Sequence, residues 1–306
     1  MLLPIEDRLH DGLVVLVHLY RHHGFLVRLR HYECFAAETH AQQPKKLPWT
    51  APASPHRRLR PDQSPVSRSS RPECYHPPRM LDIGNNLEAV RQRIDAAARR
   101  ARRNPREIAL LAVSKRVDRE RIEAAVAAGQ RALGESRVQE AEAKIPEISG
   151  DPEWHFIGPL QRNKAAMAAR LFDAVHSVDR EALVPRLSAS AAAAQRTVRI
   201  YVQTEASPGP VDDAAAAGIT ALCHAVAAAE CLHLEGLMTM APYDPDPEAA
   251  RPYFAALRDL RDRIVAGAPE LAPLGLSMGM SGDFEVAVEE GATIVRVGTA
   301  IFGERA

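Results

Sequence analysis

The sequence lacks the cysteine patterns, the net charge and the long apolar runs that are typical of several protein classes. Its 306 residues include four cysteines, none in a C-x-x-C pair or at zinc-like spacing from two histidines, which argues against a disulfide framework and a zinc site. The formal net charge is zero, so the charge balance indicates neither a nucleic-acid nor a membrane partner. No apolar run reaches the roughly 18 residues that a membrane-spanning helix needs. What remains is a globular protein, with reduced thiols expected at Cys34, Cys74, Cys223 and Cys231.

The first 79 residues differ in composition from the rest and hold eight of the twelve histidines. Residues 42–79 are rich in proline, serine and arginine, and such a segment cannot bury enough apolar surface to offset chain entropy, which predicts disorder. Residues 12–20 are apolar enough for a short helix or strand. The acidic residues before them and the lack of a small-residue cleavage site argue against a signal peptide. The histidine spacing is too irregular to favour a metal site.

A change of composition at Met80 divides the chain. From residue 80 to residue 306 the sequence is that of an alanine-rich α/β domain. We therefore expect two parts, a disordered or spurious extension over residues 1–79 and one folded domain over residues 80–306. Met80 is the expected initiator, with the preceding residues an upstream translation artefact or a dispensable extension.

Apolar runs alternate with helical patterns throughout the second part. Helical spacing begins near residue 86, with Asn85 or Asn86 as the expected N-cap. Eight strand–helix repeats over about 227 residues predict a single (β/α)₈ TIM barrel. The alternative is an open doubly wound sheet, but no G-x-G-x-x-G opens a helix after the first strand. The predicted strands span residues 108–115, 131–134, 154–158, 174–178, 197–203, 234–240, 275–280 and 293–302.

Lys115 ends the first of these strands. A lysine after a fully apolar strand must be exposed, paired or chemically used, and exposure is the ordinary outcome. In (β/α)₈ barrels, however, active sites lie at the carboxyl ends of the strands. The barrel prediction therefore makes Lys115 a candidate functional residue.

The seventh and eighth predicted strands supply the chemistry of an anion site. Ser277-Met-Gly-Met-Ser281 leads from a strand into a helix and offers hydroxyls and free N–H groups, while Gly298 and Thr299 add a close backbone approach and another hydroxyl. Arg296 shares a strand face with Gly298 and is expected to point inward. A phosphate site opposite a lysine, with an arginine between them, suits pyridoxal 5′-phosphate held as a Schiff base. Taken singly, these features also fit a tight turn, strand packing and a structural ion pair.

Several motifs, taken in their order along the chain, resemble those of one protein family. The chain is similar to the pyridoxal-phosphate homeostasis proteins, also described as proline synthetase co-transcribed homologues, over all of residues 80–306 and none of residues 1–79. The most specific runs are Trp154-His-Phe-Ile-Gly-Pro-Leu-Gln161 and Ser277-Met-Gly-Met-Ser281. The others are Ala112-Val-Ser-Lys115, Gly134-Glu135 with Val138-Gln-Glu140, Asn163-Lys164, His176-Ser-Val-Asp179, Gly236-Leu-Met238 and Val295-Arg-Val-Gly-Thr-Ala-Ile-Phe-Gly303.

The resemblance implies a fold-type III barrel like the N-terminal domain of alanine racemase, with roles for named residues. Lys115 would hold the cofactor as an internal aldimine, and Arg296 would lie near the pyridine nitrogen. Because an arginine is a poor proton donor, the ring would be a weak electron sink. The phosphate would be bound by Ser281, Gly298 and Thr299, and the pocket would be lined by His155, Ile157 and Met240.

The sequence departs from the family pattern at two places. Where the family usually has Gly-Glu-Asn-Tyr, this chain has Ser136 in place of the asparagine expected near the cofactor. Where the family usually has Lys-Ser-Gly after the fifth strand, this chain has Ala216-Ala-Gly218 and so lacks that lysine. Both departures put cofactor affinity in doubt, and the second also bears on any transfer step that uses the lysine.

The expected function is intracellular pyridoxal 5′-phosphate homeostasis without strong catalysis, and no catalytic or metal-binding residue is predicted. A racemase of this fold needs a second domain with an opposing tyrosine, and the sequence ends soon after the eighth predicted strand. The enzyme-class alternative is nonetheless an amino-acid racemase or decarboxylase, and a third possibility is a structural or partner-binding barrel without cofactor. The expected protein is a cytoplasmic monomer that binds neither nucleic acid nor membrane, and its expected partners are the cofactor and apoenzymes that use it.

Overall fold

A computed structural model describes residues 6–8, 14–22, 25–30 and 82–304 of the chain. In the N-terminal part, Val14–His22 is a strand that pairs antiparallel with Glu6–Arg8 on one side and Phe25–Arg30 on the other. This strand occupies most of the segment for which the sequence allows a short helix or strand. The predicted disorder of residues 42–79, the proposed start at Met80, Cys34 and Cys74 lie outside the described residues.

Eight parallel strands close into a barrel, which confirms the predicted fold class. Each strand pairs with its neighbours in sequence, and the eighth strand pairs with the first, with Val295 opposite Leu110. The barrel therefore has no free edge. The strands are β1 Ala109–Val113, β2 Ala132–Glu135, β3 Glu153–Phe156, β4 Ala174–Val178, β5 Val198–Gln203, β6 Leu232–Met238, β7 Gly275–Ser277 and β8 Ile294–Val297.

Helices follow the strands and cover the barrel from outside. The helices are α1 Ile83–Arg100, α2 Arg119–Ala127, α3 Val138–Lys144, α4 Ala165–Leu171, α5 Val184–Ala193, α6 Asp213–Ala227, α7 Arg251–Gly267, α8 Phe284–Glu289 and α9 Thr299–Phe302. Short 3₁₀ turns span Pro105–Glu107, Ile145–Glu147, Arg162–Lys164, Glu181–Leu183, Pro247–Ala250 and Pro269–Leu271. Within residues 82–304, no helix combines the length and apolar character needed to cross a membrane.

The first helix begins earlier than the sequence predicts. Asp82 is its N-cap, because the Asp82 carboxylate accepts the backbone N–H of Asn85 at 3.0 Å. The expectation that Asn85 or Asn86 caps the helix is therefore wrong, and both asparagines lie in its first turn. Helical spacing puts Leu87, Val90 and Ile94 on its buried face, as expected.

The eighth strand is shorter than predicted. It ends at Val297, and Gly298 and Thr299 lie beyond it, at the start of α9. The prediction that these two residues belong to the strand is wrong because an apolar run alone does not separate a buried strand from a buried helical turn. The correction matters for the site, since it puts Thr299 in the first turn of a helix.

The strands divide the interior into two layers. Most large apolar side chains lie between the strands and the helices, while the barrel lumen holds a small cluster of Leu111, Tyr201, Met238 and Ile294. Polar side chains, described below, fill the rest of the lumen. Outside it, Cys223 is a free thiol whose pKa burial raises to about 12, so it stays protonated.

Candidate functional site

Three neighbouring strands bring the main candidate residues to one end of the barrel. In the closed barrel β7 pairs with β8, and β8 pairs with β1. Lys115 follows β1 and is half-buried, and by the two-residue period it continues the lumen-facing side of Leu111. Ser281 follows β7 and Gly298 follows β8. The carboxyl ends of adjacent parallel strands therefore collect these residues at one mouth.

The turn after β7 depends on one glycine. Gly279 has a φ of +90°, and a Cβ built on it would lie 2.5 Å from the Ala287 Cβ and 3.0 Å from the Phe284 Cα. Both facts exclude other residues at this position. The Gly279 carbonyl accepts the backbone N–H of Arg296 at 3.0 Å, which ties the turn to β8.

Ser281 and Gly298 meet directly. The Ser281 hydroxyl accepts the Gly298 N–H at 3.2 Å, so the two loops converge as the sequence predicts. Gly298 is buried and is the N-cap of α9, whereas Thr299 is exposed in its first turn. First-turn N–H groups of a helix lack intrahelical partners and suit an anion. This corner therefore offers backbone donors and two hydroxyls to a ligand.

Arg296 is buried and points into the lumen, as predicted. Its guanidinium donates to the Ser277 hydroxyl at 2.7 Å and to the Thr239 carbonyl at 2.8 Å. Burial lowers the pKa of Arg296 to about 10, with Asp283 and Tyr201 opposing part of the shift. The side chain is therefore still a cation at neutral pH, and it can donate hydrogen bonds but not accept them.

A chain of hydrogen bonds continues from Arg296 through the lumen. Ser277 Oγ lies 2.8 Å from Nδ1 of His176, and His176 Nε2 lies 2.9 Å from Nδ1 of His155. Because the arginine can only donate, Ser277 accepts from it. The Ser277 oxygen has a second lone pair, so the direction of the bonds beyond it depends on the tautomers of the two histidines. At the far end, His155 Nε2 lies 3.3 Å from the Arg199 guanidinium, which can only donate.

The other end of this chain lies at the amino ends of the strands. His155 Nε2 is 3.6 Å from a carboxylate oxygen of Glu153, which also accepts from Arg199 at 2.5 Å. The His155 ring and the Arg199 guanidinium together lower the pKa of Glu153 to about 2, against the opposing effect of burial. Burial lowers the pKa of His155 and of His176, which keeps both rings neutral. Tyr201 stacks on His176 with ring centroids 4.2 Å apart.

The remaining predicted site residues occupy different environments. Ile157 packs against the apolar cluster in the lumen, and Ser136 is half-buried after β2. A Cβ on Gly158 would lie 2.0 Å from the Ser136 carbonyl oxygen, so the loops after β2 and β3 are in close contact. Met240, expected to line the pocket, is 45% exposed in the loop after β6. Residues 216–218, which replace the family lysine segment, lie inside α6 rather than before it.

Sequence reasoning missed several polar residues around the site. His176 and Ser277 belong to motifs that the sequence singles out, but nothing in those motifs marks them as partners across the lumen. Glu135 also belongs to one of these motifs, but its ion pair with Lys144 behind Lys115 was missed. The period of two predicts which face a strand residue takes, and a buried polar residue on the lumen face was the available signal.

The residues at the mouth fit a ligand that carries an aldehyde and a phosphate. Lys115 provides an amine, and the Ser281–Gly298 corner provides a hydroxyl beside a helix start. Between them Arg296 provides a donor that is fixed by two hydrogen bonds. This donor set complements a phosphate dianion and an aromatic nitrogen that is not protonated.

Comparisons with known proteins indicate one family. The family model for the alanine racemase N-terminal domain matches residues 85–306. The pyridoxal phosphate homeostasis protein of Escherichia coli K12 is 41% identical over 240 residues, which cover 74% of this chain and 98% of that protein. The corresponding protein of Mycobacterium bovis is 39% identical over 251 residues, 75% of this chain and 95% of that protein.

Solved structures with the same fold form two groups. PipY of Synechococcus elongatus, solved with PLP bound, is 37% identical and has a TM-score of 0.63 over 72% of this chain and 100% of its own. Alanine racemase of Clostridium difficile 630 has a TM-score of 0.56 at 12% identity, over 57% of its own chain. The second likeness is one of fold alone.

Proposed function

The chain belongs to the family of pyridoxal phosphate homeostasis proteins, which share the alanine racemase N-terminal domain fold, and we propose that it holds its cofactor covalently through Lys115 without strong catalysis. It binds pyridoxal 5′-phosphate and acts in cofactor homeostasis. The observation that carries the proposal is the gathering of Lys115, Ser281 and Gly298 at the carboxyl ends of β1, β7 and β8, which are consecutive in the barrel. The PLP-bound structure of PipY supports it.

Different residues at the mouth are proposed to bind different parts of the cofactor. The bound group supplies an aldehyde, which condenses with a lysine amine to a Schiff base. Lys115 is the proposed attachment point. Ser281, Gly298 and Thr299 are proposed to receive the phosphate at the start of α9, where N–H groups favour an anion. Ser136, Ile157 and Met240 remain proposed contacts of the cofactor, whereas His155, expected to line the pocket, lies beside Glu153 and Arg199 at the amino end of the lumen.

Arg296 would set how strongly the bound ring draws electrons. Its guanidinium is held by Ser277 and Thr239 and stays protonated at neutral pH. Facing the pyridine nitrogen, it would donate a hydrogen bond without releasing the proton, so the ring would draw electrons weakly.

The proposal also covers the oligomeric state, the location and the partners of the protein. It would act as a monomer in the cytoplasm, with cofactor-requiring apoenzymes as its protein partners and without nucleic acid or membrane. Light scattering of the purified full chain tests the monomer, and fractionation of native cells tests the location.

The direct experiment reconstitutes the full chain with pyridoxal 5′-phosphate. Borohydride reduction followed by peptide mass spectrometry should find the cofactor on Lys115, and the visible absorbance band should vanish in Lys115→Ala. Lys164→Ala, which changes another half-buried lysine of the barrel, is the matched control and should keep the band. A wild-type protein with no cofactor on Lys115 would overturn the proposed attachment.

The same preparation tests for catalysis. Incubation with L-alanine or L-serine should yield no D-isomer above the background of free cofactor. Turnover above about 1 s⁻¹, the low end for ordinary enzymes, would instead make the chain an amino-acid racemase.

A further inference from the structure

Three charged side chains hold the backbone on both sides of Lys115. They are Glu135 at the end of β2 and Glu140 and Lys144 on α3. None belongs to the set that would contact the cofactor, because Glu135 follows Leu133 on the outer face of the barrel and α3 packs outside it. We call these three residues the α3 clamp.

Ser114, which precedes Lys115, is held twice by the α3 clamp. Its hydroxyl donates to a carboxylate oxygen of Glu135 at 2.8 Å. Its backbone carbonyl accepts from the Lys144 ammonium at 2.9 Å. Ser114 is fully buried, so neither contact competes with water. The peptide group that joins Ser114 to Lys115 is thereby fixed by a charged donor.

Arg116, which follows Lys115, is held from the same helix. Its backbone N–H donates to a carboxylate oxygen of Glu140 at 2.7 Å. Arg116 has a φ of +57°, in the left-handed region that costs a non-glycine residue about 1–2 kcal/mol. An unfavourable backbone conformation persists only where its surroundings impose it, and Glu140 is such an anchor.

The α3 clamp is a single connected unit. Lys144 donates to Glu135 at 2.7 Å and to Glu140 at 3.0 Å, so the anchors on the two sides of Lys115 share one cation. Glu135 is fully buried, and burial raises the pKa of its carboxyl despite the opposing effects of Lys144 and Ser114. Its second oxygen has no hydrogen-bond partner among the described residues. Buried ion pairs are often no more stabilising than apolar residues of the same size, so stability alone does not explain this cluster.

We propose that Glu135, Glu140 and Lys144 are positioning residues that fix the backbone on both sides of Lys115 and so aim its amine at the barrel mouth. The inference rests on the proposed attachment of the cofactor to Lys115. A reacting amine that is oriented in advance gains rate, and a displacement of about 1 Å can lower the rate by about 100-fold. The α3 clamp therefore acts on the formation of the lysine–cofactor bond rather than on phosphate binding.

The test compares two glutamates of the same helix. Glu140→Ala removes the acceptor for Arg116, whereas Glu142→Ala changes an exposed glutamate two residues away. In the full chain, Glu140→Ala and Lys144→Met should each slow formation of the visible band with pyridoxal 5′-phosphate by about 10-fold or more. Glu142→Ala should attach the cofactor at the wild-type rate.

A second probe separates positioning from general damage. Pyridoxine 5′-phosphate carries the phosphate and ring but an alcohol in place of the aldehyde, so it cannot bond to a lysine. Its affinity should stay within about twofold of wild type in every variant that retains the fold. Lys144→Arg keeps the cation and should recover part of the attachment rate lost in Lys144→Met.

Three outcomes separate the positioning role from its alternatives. If the wild type attaches the cofactor and Glu140→Ala attaches it equally fast, the positioning role is overturned, even where the melting temperature falls. If the wild type does not attach the cofactor at all, the proposed attachment to Lys115 is overturned, and the positioning role is overturned with it. If Lys144→Met does not fold, the attachment rates of Glu140→Ala and Glu142→Ala are sufficient to support or overturn the positioning role.

Discussion

The two ends of the barrel lumen are built from different kinds of polar group. At the amino end, Glu153 and Arg199 pair with each other and His155 lies against the pair. At the carboxyl end, Lys115 and the Ser281–Gly298 corner present an amine, a hydroxyl and the start of a helix. The ion pair at the amino end stabilises the fold, whereas the groups at the carboxyl-end mouth are placed to bind a ligand. The difference matches the general rule that barrels bind at the carboxyl ends of their strands.

Arg296 stands between the two ends and belongs to both. Through Ser277 it starts the hydrogen-bond chain that runs by way of His176 to the amino end, and it also donates to the Thr239 carbonyl, just after the carboxyl end of β6. A cation that is fixed in this way cannot turn to follow a ligand. The lumen therefore connects the ion-paired amino end of the barrel to a site whose hydrogen-bond donors are already oriented.

The largest expected effect comes from removing the amine at the mouth. Lys115→Ala should abolish covalent attachment of pyridoxal 5′-phosphate, because no other group is placed to make the bond in the proposed site. Mass spectrometry after borohydride reduction measures this directly. Reduced cofactor on another lysine of the variant would contradict Lys115, at the carboxyl-end mouth, as the attachment point.

The next effect concerns the turn that shapes the phosphate corner. Gly279→Ala forces a side chain into a positive φ and against Ala287, which should destabilise the fold by about 2–4 kcal/mol. Urea unfolding measures the loss. Gly282→Ala is the matched control, because a Cβ there meets nothing within 4 Å, and it should be nearly neutral. Equal losses in both variants would show that the turn is not constrained as described.

A smaller effect is expected at the hydroxyl of the same corner. Ser281→Ala should weaken the binding of pyridoxine 5′-phosphate by about 10-fold, since one hydrogen bond to a charged group contributes about 1.5–3 kcal/mol. Calorimetric titration gives the affinity. Ser281→Thr keeps the hydroxyl and should lose less. An unchanged affinity in Ser281→Ala would remove Ser281 from the phosphate site.

The barrel itself could be predicted from the sequence because each strand is a short apolar run bounded by turn residues. The prediction of Ala174–Val178 is correct to the residue, whereas the first strand ends at Val113, two residues before the predicted end at Lys115. The end of the eighth strand could not be predicted, because apolar residues continue on both sides of Gly298 and a buried helical turn has the same composition. Gly298 itself was the available sign of the break.

The polar interior could not be predicted for a different reason. His155, His176 and Ser277 lie on three strands that are far apart in sequence, and only closure of the barrel brings them within hydrogen-bond distance. A single sequence predicts the face of each residue but not its partner across the lumen. The α3 clamp was missed in the same way, since Glu135 and Lys144 lie on different elements.

The smallest expected effect is at the amino end and should spare the site. Glu153→Gln should lower the free energy of unfolding at pH 7 by about 1 kcal/mol, a modest figure because half of the side chain is exposed and water screens the pair. His155 and Arg199 depress the pKa of Glu153 to about 2, so the stabilising contribution is full above about pH 4.5, the ordinary glutamate range, and is lost as the pH falls towards 2. Urea unfolding of both proteins at pH 7 and pH 3 should therefore give a smaller difference at the lower pH. Cofactor attachment to Lys115 at pH 7 should match the wild type, and a loss of attachment would show that the two ends of the lumen are coupled through His155, His176 and Arg296.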